Sequence, residues 1–157
     1  MSRTIPHFGD LSLLSLPGAT AFLSSRRGSA KAALGCLEWA EARRDEPGPV
    51  IGGFHSGLEG DVLRMLLRGT CPIILVLARA LWKTVPPDLA GPIAAGRLLA
   101  VSPVPATARR VSAATALLRN RFVLDHAAEI VVGSLDPAGS LAALFAARPH
   151  LCYRVLS

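Results

Sequence analysis

Lysine is nearly missing from this sequence. Lys31 and Lys83 are the two present, so almost all the positive charge behind a formal net charge of +6 is arginine. Arginine grips phosphate with a two-pronged fork that lysine lacks. A GC-rich genome would also raise arginine together with alanine, so the positions of individual arginines must carry the argument. Cysteine is scarce as well. Cys36, Cys71 and Cys152 are odd in number and far apart, with no Cys-x-x-Cys. That pattern speaks against a zinc site and for three buried thiols in a reducing cytoplasm. Long hydrophobic runs are absent too. The densest, Pro72 to Leu81, is interrupted by Arg79, and a helical span needs roughly 20 apolar residues, so no membrane partner is expected. The first ten residues carry Arg3, Pro6 and Asp10 in place of a secretory signal's apolar core. Gly-x-Gly-x-x-Gly, Gly-x-x-x-x-Gly-Lys-Ser/Thr and Gly-x-Ser-x-Gly are all missing. The carboxylates form no evident acid/base pair. No catalytic residue, metal or cofactor is therefore assigned.

What is present is a globular alternation. Apolar residues make up 51% and charged residues 18% of 157, too apolar for disorder and enough for one core. Residues 1–17 read as a leader packing on a single domain over 18–157. Within that domain the sequence predicts strands at Ala19–Leu23, Val50–Gly53, Ile73–Leu77, Arg97–Val101, Glu129–Val132 and Leu151–Leu156. Helices are predicted over Ala30–Arg44, from a Ser56-x-x-Glu59 capping box to Gly69, briefly after Pro86-Pro87, over Ala108–Asp125, and from Ser140 through Ala147. Such an order implies an α/β three-layer sandwich with a mostly parallel sheet.

In open sheets of this kind ligands sit beyond the carboxyl ends of the strands, where strand order reverses. Three loops there could hold an anion. Ser24-Ser25-Arg26-Arg27-Gly28-Ser29 sets hydroxyls, a glycine and two arginines before a helix start; its bland alternative is a solvated turn with Ser29 as N-cap. Gly52-Gly53-Phe54-His55-Ser56-Gly57 lets a ligand approach the backbone, although Glu59 and Asp61 in the next turn repel phosphate. Asp136-Pro137-Ala138-Gly139-Ser140 again places small residues at a helix start. A fourth cluster, Arg119-Asn120-Arg121, lies near the end of an apolar helix. Its two arginines cannot face one way, leaving one free to reach a ligand while the other pairs with an acid.

In order and rough spacing these elements resemble the Rossmann-like core of the DprA/Smf DNA-processing family. The first loop is similar to that family's Gly-Ser-Arg turn, and His55 to Asp61 to its Ser-Gly-x-Ala-x-Gly-Ile-Asp segment. Arg119-Asn120-Arg121-Phe122-Val123 is similar to its Arg-Asn-Arg-Ile-Ile block, the most specific of the matches. Ala138-Gly139-Ser140-Leu141 is similar to its Ser-Gly-Ser-Leu. The resemblance implies a cytoplasmic protein that binds single-stranded DNA or a nucleotide, with a homodimer and a recombinase as partners. Its ligand-binding residues would be Ser25, Arg26, Ser56, Gly57, Arg119, Asn120, Arg121, Gly139 and Ser140. The leading reading is a binding module without catalysis. The alternatives are a nucleotide-hydrolysing enzyme with Asp61 or His55 as base, and a degenerate scaffold. The Pro-Gly-Gly-x-Gly-Thr-x-x-Glu signature of the phosphoribohydrolase relatives is missing, which argues against hydrolysis.

Overall fold

The computed structural model describes residues 4–26, 28–55 and 57–156. Seven strands form one sheet: β1 (His7–Phe8), β2 (Thr20–Leu23), β3 (Val50–Gly52), β4 (Ile73–Val76), β5 (Leu98–Val101), β6 (Glu129–Val132) and β7 (Arg154–Val155). Their spatial order is β1-β5-β4-β3-β2-β6-β7. Every pairing is parallel except β1 with β5, which sets His7 against Val101. The chain steps from β2 outward to β5, then returns to lay β6 on the other side of β2. Strand order therefore reverses between β2 and β6.

The strands alternate with five helices: α1 (Ala30–Arg43), α2 (Gly57–Leu67), α3 (Pro87–Ala94), α4 (Ala113–Asp125) and α5 (Ser140–Ala146). All four residues of β4 are buried, as expected of a central strand covered on both faces. Its side chains alternate between two cores. Ile74 and Val76 join a cluster with Leu23, Val123, Leu141 and Phe145 under α4 and α5. Ile73 and Leu75 join Phe22, Cys36, Val62 and Leu66 under α1 and α2. The result is the three-layer sandwich with a mostly parallel sheet that the alternation of elements implies.

Several boundaries differ from the sequence expectation. The predicted helix over Ala108–Asp125 begins only at Ala113, where a reciprocal box sets the start. The Ser112 hydroxyl accepts from the Thr115 N–H at 3.2 Å, and the Thr115 hydroxyl accepts from the Ser112 N–H at 2.8 Å. The last strand shrinks from Leu151–Leu156 to Arg154–Val155. Ahead of β2, β1 adds an antiparallel edge to the sheet, and a 3-10 turn over Leu11–Ser15 inserts Leu13 into the α4/α5 core. Cys152 is exposed rather than buried with Cys36 and Cys71, because the segment leading into the edge strand β7 is open to solvent. Among the described residues no helix is long and apolar enough to cross a membrane.

Candidate functional site

The carboxyl ends of β2 and β6 are tied together at the point of reversal. The Ser25 N–H donates to the Ser134 carbonyl at 2.8 Å. The Ser134 N–H donates to the Ser24 hydroxyl at 3.1 Å, and the Asp136 N–H to the Ser25 hydroxyl at 2.9 Å. The loops after the two strands thus form one rigid wall, held by serines whose short side chains reach across. Gly133 makes this approach feasible: a β-carbon there would lie 2.6 Å from the Cys36 sulfur and 3.1 Å from the Ser24 hydroxyl.

A cleft of about 490 Å³ opens above this wall. Ser24, Ser25 and Arg26 line it from the β2 loop, and Asp136, Gly139 and Ser140 from the β6 loop. His55 and Glu59 come from the segment after β3, and Arg119 and Asn120 from α4. Elements distant in sequence converge here because parallel strands present all their carboxyl ends to one edge of the sheet.

Arg119 dominates the cleft. It is 9% exposed. Burial pulls its guanidinium pKa down, the Glu59 carboxylate opposes that, and Arg26 adds to it. Its Nε donates to the Asn120 side-chain oxygen at 3.2 Å. Its two terminal nitrogens have no hydrogen-bond acceptor among the described residues. A largely buried arginine whose terminal nitrogens have no acceptor among the described residues and still face the cleft is set up to receive a planar or tetrahedral anion. The backbone is shaped around it. A β-carbon on Gly53 would lie 2.6 Å from Arg119 Cδ and 2.7 Å from its Nε, so only glycine leaves the side chain its path into the cleft.

Of the residues singled out in the sequence, Ser25, Arg26, Arg119, Asn120, Gly139 and Ser140 line this one cleft. Gly57 and Arg121 do not; both are exposed. Ser56 and the neighbouring Arg27 lie outside the described residues. The two arginines of Arg119-Asn120-Arg121 do diverge. The cleft-facing Arg119 is the one in the field of an acid, Glu59, whereas Arg121 makes no ion pair among the described residues. Asp61 turns outward, onto Arg64. Glu59 lies in the first turn of α2, as the sequence reading has it; what the sequence does not reveal is that it is buried in the cleft, where its carboxylate favours the charged form of Arg119. Among the described residues no cluster of histidine, cysteine or carboxylate could hold a metal ion.

Solved structures match the fold over nearly the whole chain. DNA processing protein A (DprA) from Helicobacter pylori, described for its single-stranded DNA binding mode, superposes with a TM-score of 0.72 at 18% identity, covering 95% of this chain and 69% of that one. The chain has the DprA fold. DprA from Streptococcus pneumoniae gives a TM-score of 0.71, again at 18% identity, covering 95% of this chain and 53% of that one. The chain thus spans about half the length of the pneumococcal DprA and about two thirds of the Helicobacter DprA. No family model matches the sequence, and no curated protein matches it.

Proposed function

We propose that the cleft between the β2 and β6 loops binds a nucleotide phosphate, presented in single-stranded DNA. The observation that carries this reading is the Arg119 guanidinium at the point where strand order reverses, its terminal nitrogens without an acceptor among the described residues. Arg26 supplies a second positive charge at the rim. The Ser25 hydroxyl already accepts from Asp136, so its own proton remains to be donated to a ligand oxygen. Ser140 adds another hydroxyl to the lining. The likeness to the Helicobacter DprA, which binds single-stranded DNA, supports the polymer as the form of the ligand.

Glu59 and Asp136 sit in the same cleft, so its net charge is small. Affinity for one phosphate must come from the geometry of the fork rather than from bulk attraction. Replacing Arg119 by Lys keeps the charge that balances Glu59 and removes the fork. R119K is expected to weaken binding of single-stranded DNA about tenfold or more, read by fluorescence anisotropy, with the melting temperature little changed. Unaltered affinity in R119K would remove the basis of the proposal.

One observation favours a second reading: His55 lies in the cleft with Glu59 and Asp136, so a base and carboxylates are at hand for hydrolysis of a nucleotide. Incubation with nucleoside monophosphates, followed by chromatography for free base, separates the two readings. Binding without release of base is the expected result.

A further inference from the structure

A separate hollow of about 370 Å³ lies at the amino ends of the strands, where Thr20 lines it. Along β2, Thr20 is about 13 Å from the serines of the cleft. It is 3% exposed and sits on the face of the strand that also carries Phe22, under α1. Its hydroxyl makes no hydrogen bond among the described residues. The hydroxyl is nonetheless not sealed from solvent, and the hollow is where it opens. Buried side-chain hydroxyls nearly always have a partner, and this one can find it only there.

Among the described residues, two arginines and two glutamates line the hollow. One pair is already engaged. Arg43 Nε pairs with Glu46 at 3.2 Å, and Arg43 Nη2 donates to the Gly48 carbonyl at 2.7 Å. Its Nη1 is buried too deep to meet a ligand. Glu129 and Arg154 remain. Both are exposed, and neither side chain makes an ion pair or hydrogen bond among the described residues. The sheet holds them close together. Glu129 of β6 stands directly opposite Thr20, and Arg154 of β7 opposite Val131. Strand spacing and rise then set the Glu129 and Arg154 α-carbons about 8 Å apart, on the same face as Thr20. Trp39 of α1 bounds the hollow from above, its ring stacked on Phe22 with centroids 5.1 Å apart.

We propose that this hollow binds a small zwitterion, a free α-amino acid with an aromatic side chain. A simple anion would be opposed by Glu129, and a simple cation by Arg154. An α-amino acid carries both signs on one carbon and satisfies both residues at once. Its ammonium has three protons to donate, to the Glu129 carboxylate and to the Thr20 hydroxyl beside it. Its carboxylate suits the two-pronged fork of Arg154. Its ring lies against Trp39. The site is independent of the cleft and of the ligand proposed there.

Calorimetric titration tests this with three probes that share one ring: L-phenylalanine, phenylpropionate, which lacks the ammonium, and L-phenylalaninamide, which lacks the carboxylate. The wild type should bind L-phenylalanine in the millimolar range or tighter, and each of the other two at least about tenfold more weakly, as expected for losing one charge-assisted contact. The variants are E129Q and R154Q. Both side chains are exposed, so unchanged circular dichroism melts are expected. Each variant should bind L-phenylalanine at least about tenfold more weakly. The other probes should exchange roles. E129Q removes the charge that opposes phenylpropionate and should bind it more tightly than the wild type does, and R154Q should do the same for L-phenylalaninamide. No binding of L-phenylalanine by the wild type in the millimolar range would overturn the proposal. Equal affinity for the three probes would overturn it too, since the hollow would then take only the ring. Wild-type affinity for L-phenylalanine in both variants would overturn it as well.

Discussion

Single residues set the chemistry of the cleft, and Gly53 shows how narrowly. A β-carbon at this position has to displace the Arg119 side chain at its Cδ and Nε, near the middle of the chain rather than at its flexible tip. G53A should therefore destabilise the protein by about 1–3 kcal/mol, as overpacking does. It should also weaken DNA binding, because the fork can no longer lie in the cleft; thermal melts and anisotropy titrations of the same preparation check the two effects together. Cys36 offers a test of the wall behind the cleft. Burial first, and the Glu59 charge second, push its thiol from an ordinary 9.0 up to about 11. The unfolded chain loses this proton first as pH rises. The stability contributed by the neutral buried thiol is complete below pH 9.0 and disappears as pH climbs through about 11. Melting temperature should thus fall more steeply over that range in the wild type than in C36A, where other alkaline groups titrate alike. Parallel curves would show that Cys36 does not feel this environment.

At the scale of elements, much of the fold was legible because parallel strands buried on both faces have to be continuously apolar. Ile73 to Val76 could hardly be read otherwise, and Pro87 at the start of α3 occupies the first-turn position that proline favours. The errors have physical reasons. The sequence expectation starts α4 too early, at Ala108, because Ala108 suits a helix as well as Ala113 and Ala114 do, and its N-terminus is set by a Ser112/Thr115 box rather than the commoner Ser-x-x-Glu. The box makes a prediction: S112A should lose about 1 kcal/mol and lower the melting temperature by about 2–4 °C for a chain of this size. Because α4 carries Arg119 and Asn120 into the cleft, fraying at its start should also weaken binding of single-stranded DNA. The two-residue edge strand β1 escaped notice because His7–Phe8 is too short to show any alternation and depends on the backbone of β5 for its partner.

For the whole molecule, topology accounts for what sequence could and could not reveal about the site. Four separated segments were recognisable as loop or helix-end candidates, and parallel strands bring their ends to one edge wherever strand order reverses. That reversal, between β2 and β6, is a property of the assembled sheet, so the convergence of Ser25, Asn120, Arg119 and Ser140 was not legible from any one segment. Nor was the opposing role of the carboxylates, because Glu59 and Asp61 are near neighbours in sequence and face different surroundings. The net charge of +6 draws a polyanion to any part of the surface, so affinity alone is a poor test. Salt dependence combined with a charge-preserving substitution is sharper. The most direct measurement is a titration of labelled single-stranded DNA with wild type and R119K at about 50 mM and about 200 mM salt. The account predicts weakening of the wild type with salt, and a large loss in R119K at both concentrations with the fold intact. Equal binding by the two proteins at both concentrations would contradict it.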